Sequence, residues 1–147
     1  MRPERILAIV VALIIVVAVA AALFSATRSA PQFDPATPEG TVQAYLRAVA
    51  DGDEEAAAAY LAPDSDCDAT DIARADFVQS VRVVLRDTVV GGDEARVEVE
   101  VVYSSSGDPF DGSEFREDQV YELRRPEDRW LLIGEPWPLF FCEGGRG

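Results

Sequence analysis

Acidic side chains stand at alternate positions in the stretch DSDCDATD, which begins at Asp64. Carboxylates spaced in this way can converge on one hard cation such as calcium. The pattern then departs from an EF-hand loop, because Ala69 stands where glycine is needed and Ala75 where a bidentate glutamate is needed. A solvated acidic loop is therefore the preferred interpretation. Weak calcium binding by Asp64, Asp66 and Asp68 is the alternative.

Tyrosine hydroxyls are the other groups that could do chemistry here, if burial beside a carboxylate shifts their pKa. The faces of the predicted strands that point inward are mostly apolar, with Gln79, Glu117 and Gln119 as polar exceptions. We therefore expect the tyrosines to lie in the core with their hydroxyls at its edge. The residues that could line a pocket are Tyr45, Tyr60, Tyr103, Tyr121 and Trp130.

Several kinds of site are excluded by composition. The chain has no histidine, and the printed sequence also contains no lysine, so most metal, phosphate and nucleophile–base sites cannot be built. We expect no cofactor.

The chain is strongly acidic, with 27 acidic residues against 13 basic residues and a formal net charge of −14. Binding to nucleic acid is not expected, because phosphate-rich partners require a basic surface.

A continuous apolar run, Ile6–Phe24, predicts a transmembrane helix. At 1.5 Å per residue it would span about 28 Å, close to the hydrocarbon thickness of roughly 30 Å. Arg2 and Arg5 precede it, which predicts that residues 1–5 form a cytoplasmic tail and that the rest lies outside. A cleaved signal peptide is the alternative. It is less favoured because Phe24 stands where the motif Phe24-Ser25-Ala26 needs a small residue.

The segment after this run predicts a linker and a helical hairpin. Residues 25–37 are polar and contain prolines, which is typical of a linker. Thr37 followed by Pro38 predicts a helix start, and Gly52 predicts its end. Asp53 would cap a second helix that ends at Leu61. The apolar positions of the first helix share one face: Val42, Tyr45, Leu46 and Val49.

Alternating polarity takes over in the second half of the chain and predicts antiparallel strands. The inward residues of the first strand are Phe77, Val81, Val83 and Leu85, and those of the second are Ala95, Val97, Val99, Val101 and Tyr103. A hairpin of 115–125 and 130–133 follows, and residues 139–142 predict a last short strand. One or two helical turns are expected within 68–76. This order of elements indicates an α+β domain.

The run TPEGTVQAYLRAVADGDEEAAAAYLAPD resembles the opening of nuclear transport factor 2-like domains, which share a cone-shaped fold with ketosteroid isomerase. The later residues Arg129–Ile133 are similar to a strand near the end of that fold. The resemblance implies two to three helices packed on a curved antiparallel sheet over residues 38–143, with 144–147 as a tail. It implies little about function, because this fold hosts many unrelated roles.

Cys67 and Cys142 are the only cysteines. Both would lie outside the cytoplasm, where thiols tend to oxidise, so we predict a disulfide between them. Two free thiols or an intermolecular bridge are the alternatives. Such a bond would tie the end of the chain to the loop after the helical hairpin. In the chain-entropy model it would stabilise the fold by roughly 4 kcal/mol.

The sequence therefore predicts a single-pass protein of the cell membrane, with a non-catalytic binding or assembly domain outside the cytoplasm. The resemblance extends to membrane-anchored accessory proteins of lipid-uptake systems, and it implies another envelope protein as the partner. Two alternatives remain open: a carrier of small apolar ligands that uses the cone cavity, and an enzyme of the isomerase or hydrolase kind. An aromatic-rich end is expected to be core or a partner surface: Trp130, Trp137, Phe140 and Phe141.

Overall fold

A computed structural model describes residues 3–26, 31–75, 81–104 and 114–142 of the protein. It divides into two compact units, Met1–Pro31 and Gln32–Gly147. The first unit contains one helix, α1 (Pro3–Ala26). Side chains are described in this helix at Leu7 and at 9–21.

The part of the chain that the structure describes contains no helix that is long and apolar enough to cross a membrane. The membrane span predicted at Ile6–Phe24 therefore stays a prediction.

The second unit begins with α2 (Pro38–Asp51), whose ends match the sequence prediction. The Thr37 hydroxyl accepts a hydrogen bond from the Gly40 amide, and Gly52 ends the helix in the left-handed conformation at φ 71°. Gly40 is required for a different reason. A Cβ atom there would lie 1.9 Å from the Asp34 carbonyl oxygen, so only glycine lets the preceding segment approach the first turn of the helix.

Two short helices follow. The first, α3 (Glu54–Ala58), is capped by Asp53 as predicted but ends before Leu61. Leu61 instead forms an isolated bridge with Leu132, because the chain straightens there to meet the sheet. The second, α4 (Ala69–Arg74), begins with a capping box. The Asp68 carboxylate accepts a hydrogen bond from the Asp71 amide, and the Asp71 carboxylate accepts one from the Asp68 amide.

The sheet has four antiparallel strands in the order β1–β2–β3–β4, and it is curved. The strands are β1 (Val81–Gly91), β2 (Glu94–Ser104), β3 (Glu114–Arg124) and β4 (Leu131–Ile133). A register shift between Leu85 and Asp87 interrupts the pairing of β1 with β2. A bulge of this kind bends the strand and increases its twist.

The predicted alternation along β2 is confirmed. Val97 and Val101 are fully buried and face the helices, whereas Glu98 lies on the exposed face. The predicted inward residues Phe77 and Gln79 lie outside the described residues. The described inward residues of β1 are only half-buried, so they lie at the edge of the core. They are Val81, Val83 and Leu85.

The short strand predicted at 139–142 is wrong. The Leu139 amide donates to the Pro136 carbonyl, and the Cys142 amide donates to the Glu135 side chain. These amides are used in local bonds, so residues 134–142 follow β4 without joining the sheet.

Candidate functional site

The interior of the cone, between α2 and the concave face of the sheet, is filled by side chains. Tyr45 of α2 meets Tyr121 of β3 edge to face, with ring centroids 6.4 Å apart. Both rings are fully buried, and Trp137 and Leu139 from the C-terminal segment are 4% exposed. These side chains therefore pack closely against one another in this part of the interior.

The two central tyrosines differ in how their hydroxyls are satisfied. Tyr121 donates a hydrogen bond of 3.1 Å to the Trp137 carbonyl oxygen, whereas the Tyr45 hydroxyl is buried without a partner among the described residues. Burial raises the pKa of both phenols above the ordinary value, so both stay neutral at physiological pH. They are therefore uncharged core residues, but their hydroxyls lie inside the core and not at its edge as expected.

The other aromatic residues predicted to line a pocket make different contacts. Trp130 is buried beneath the Arg125 guanidinium, which is 4.9 Å from the ring centroid. Tyr60 is half-buried below Arg129. Tyr103 lies near the edge of the core.

Tyr103 makes the contact closest to a tyrosine–carboxylate pair in the described part of the chain. Its hydroxyl donates to a Glu117 carboxylate oxygen at 3.5 Å, the outer limit for a hydrogen bond. Burial raises the pKa of the Tyr103 hydroxyl, which disfavours its use as a base. This geometry does not build an acid–base site.

An open apolar groove of about 310 Å³ lies on the other side of α2, between that helix and β1. We call it the α2–β1 groove. Its floor is the buried residues Val97 and Val99 of β2, and Val42 closes its inner wall. Its remaining apolar walls are Phe33, Leu46, Ala50, Val81, Val83 and Leu85.

The polar rim of the α2–β1 groove comes from α2. The Gln43 side-chain oxygen accepts a hydrogen bond of 3.0 Å from the Phe33 amide, which holds the segment before α2 against the helix. Glu39 and Arg47 are the charged rim residues. Among the described contacts Arg47 forms no ion pair, so it is free to meet a polar or acidic group.

The acidic loop is held by contacts within the protein. Both oxygens of Asp64 accept bonds from Arg124, at 2.5 and 2.7 Å, and this contact lowers the pKa of the Asp64 carboxyl. Backbone amides of α4 lower the pKa of Asp68 in the same way. Asp66 is exposed. Within the described ranges no group of acidic or cysteine side chains could hold a metal ion.

The structure brings Cys67 and Cys142 to disulfide distance, with Cα atoms 4.8 Å apart. The predicted pairing is confirmed. The bond joins the loop before α4 to the end of the C-terminal segment, and Cys67 is buried. Beside it the exposed rings of Phe140 and Phe141 form the part of the aromatic-rich end that is not core.

The α2–β1 groove was not predicted from the sequence. A partial signal exists, since Leu46 and Ala50 lie one turn apart on α2 and extend its apolar face beyond the side that holds Tyr45. Whether a second element covers that extension depends on how far the sheet reaches beneath the helix. That distance has no signature in the residues themselves.

No model of a known protein family matches the chain. No curated protein matches it either.

Solved structures do share its fold. A SEC-C motif containing protein from Rhodopseudomonas palustris matches with 20% identity and a TM-score of 0.53, over 76% of this chain and 82% of that protein. A protein from Thiobacillus denitrificans described as "Putative calcium/calmodulin-dependent protein kinase type II association domain" matches with 15% identity and a TM-score of 0.55, over 71% and 94%.

An NTF-2 like protein of unknown function from Shewanella oneidensis matches at 10% identity and a TM-score of 0.46, over 64% of this chain and 89% of that one. Identities this low show the fold alone. The two matches with TM-scores above 0.5 support the α+β fold expected from the sequence, with helices on a curved antiparallel sheet.

Proposed function

We propose that the protein is a non-catalytic binding domain anchored at the cell membrane, and that the α2–β1 groove is its contact surface. The observation that carries this proposal is the contrast between the packed region around Tyr45 and Tyr121 and the open α2–β1 groove. Catalysis in such a cone would need a buried carboxylate without a partner. Among the described residues the buried carboxylate is Asp71, which accepts a bond from the Asp68 amide as part of a helix cap.

The anchor is supported by the sequence. In the sequence, Ile6–Phe24 is an uncharged apolar run of about the length that a membrane span needs. Arg2 and Arg5 favour a cytoplasmic N-terminus, with residues 25–37 as the tether and the domain outside. In this proposed topology another envelope protein could reach the contact surface.

Washing membranes with high salt and then carbonate tests the anchor. The full chain should stay with the membrane and keep Met1 or Arg2 as its first residue. A soluble product that begins at or after Ser25 would show that the apolar run is a cleaved signal peptide.

A protein partner fits the α2–β1 groove because its walls are half-buried aliphatic side chains with a free guanidinium at the rim. Apolar side chains of the partner would fill the groove, and an acidic or carbonyl oxygen would meet Arg47. A small apolar ligand is the second candidate. It is favoured by the volume of about 310 Å³, which is within the range of known ligand sites.

Photo-crosslinking in native membranes tests the contact surface. A photoreactive residue at Val83, inside the groove, should yield a discrete crosslinked protein. The matched position is Val89, which lies on the same strand, is 57% exposed and is not among the groove-lining residues. Equal products from the two positions would reject the groove as the protein contact. A small molecule found by mass spectrometry after mild purification, and lost from a Val83→Arg variant, would favour the ligand carrier instead.

A further inference from the structure

The C-terminal segment closes one side of the cone without being part of the sheet. We call residues 135–142 the plug. Trp137 and Leu139 enter the core, each 4% exposed, while Phe140 and Phe141 remain outside. The plug therefore contributes two of the side chains that fill the interior.

Few hydrogen bonds attach the plug to the rest of the domain. The Trp137 carbonyl accepts the bond from Tyr121, and Trp137 is also hydrogen-bonded to Tyr103. Pro136 and Pro138 have no amide hydrogen to donate to a strand. In the described chain the remaining backbone bonds of the plug are local, so no sheet ladder holds it in place.

The disulfide lies at the far end of this segment. Cys67 is fixed by its loop, whose Ser65 hydroxyl donates to the Gly134 carbonyl just before the plug. Cys142 is the last residue of the plug. The plug is thus tied at both ends, by β4 on one side and by the disulfide on the other.

We propose that the disulfide Cys67–Cys142 is a redox latch for the plug. In the oxidised protein the latch keeps Trp137 and Leu139 in the cone. A dithiol reductant would donate two electrons and two protons, so that the S–S bond becomes two thiols and the reductant becomes a disulfide. The freed plug then withdraws, and the cone exposes the apolar wall around Tyr121 while the sheet stays folded.

The two tryptophans give a matched pair of reporters, because each is 4% exposed and only Trp137 belongs to the plug. The full chain is purified in detergent micelles as two variants. Trp130→Phe leaves Trp137 as the sole tryptophan, and Trp137→Phe leaves Trp130. Emission spectra and acrylamide quenching are measured before and after adding dithiothreitol, with far-ultraviolet circular dichroism as the check on the sheet.

Reduction should shift the Trp137 emission to the red and increase its quenching several-fold, while the Trp130 signal and the circular dichroism stay unchanged. Reoxidation should reverse the shift, and Cys67→Ser in the Trp130→Phe background should show the released state without reductant. Two outcomes would overturn the proposal. If Trp137 stays buried after complete reduction, the plug needs no latch. If both tryptophans become exposed together, the disulfide is a general support of the fold.

Discussion

The two sides of α2 meet the same sheet with different results. On one side Tyr45 packs against Tyr121, and Trp137 completes a close-packed interior. On the other side Leu46 faces β1 across an open groove of about 310 Å³. Both sides are apolar. What differs is the supply of bulky side chains, since the interior receives aromatic rings from β3 and the plug, whereas the groove receives only aliphatic side chains from β1.

We therefore expect the packed interior to contribute mainly to stability and the open groove mainly to binding. A filled interior stabilises the fold through dispersion and burial, and changing it should cost free energy of unfolding. The outer walls of the groove contribute less to stability, because Leu46 and the β1 residues Val81, Val83 and Leu85 are only half-buried. Substitutions in the groove should alter the occupant and leave the fold largely intact.

The largest effect on stability is expected at Val97, which is a core residue and also forms part of the floor of the α2–β1 groove. Val97→Asp places a charge at a position with 0% exposure, which should cost several kcal/mol against a total stability of roughly 5–10 kcal/mol. The domain should unfold, as measured by circular dichroism. Glu98→Lys is the control, because Glu98 is on the exposed face of the same strand. Equal losses from the two variants would contradict the register of β2.

The second largest effect is expected at alkaline pH, which should lower the free energy of unfolding through Tyr45 and Tyr121. The folded-state pKa values of Tyr45 and Tyr121 are raised by burial, so their contribution to stability is complete below the unfolded pKa of about 10. Above that pH the unfolded phenols ionise first, and stability should fall by about 1.4 kcal/mol per pH unit for each tyrosine. Urea unfolding at pH 9, 10 and 11 measures this loss. An unchanged midpoint across that range would mean that the phenols are in contact with solvent.

Removing single hydroxyl groups should have smaller and unequal effects. Tyr121→Phe leaves the Trp137 carbonyl without its bond from Tyr121 and should cost about 1 kcal/mol. Tyr45→Phe removes a buried hydroxyl that has no partner, so it should be neutral or stabilising. Thermal unfolding of the two variants gives the comparison directly. A larger loss for Tyr45→Phe would show that its hydroxyl has a partner in the working protein.

The smallest effect on stability is expected in the groove. Ala50→Leu fills part of the α2–β1 groove from an exposed position and should change stability by less than about 0.5 kcal/mol. The crosslink from Val83 should nevertheless be lost, because the occupant no longer fits. Retained crosslinking with unchanged stability would mean that the partner contacts the rim and leaves the groove empty.

Much of the fold could be predicted from the sequence because its signals are local. The cap at Thr37, the stop at Gly52 and the alternation from Ala95 to Tyr103 each depend on residues a few positions apart. The pairing of Cys67 with Cys142 was equally accessible, since a chain with two cysteines allows one intramolecular bond.

Only the tertiary structure decided which apolar faces are covered. The residues of the plug have the composition of a short strand, yet two prolines and locally used amides keep them out of the sheet and direct Trp137 into the cone. Leu46 and Tyr45 are neighbours in sequence with similar apolarity, but one meets the groove and the other meets Tyr121. The physical reason is that coverage depends on the reach of distant elements across the sheet, and a local pattern of residues carries no measure of that reach.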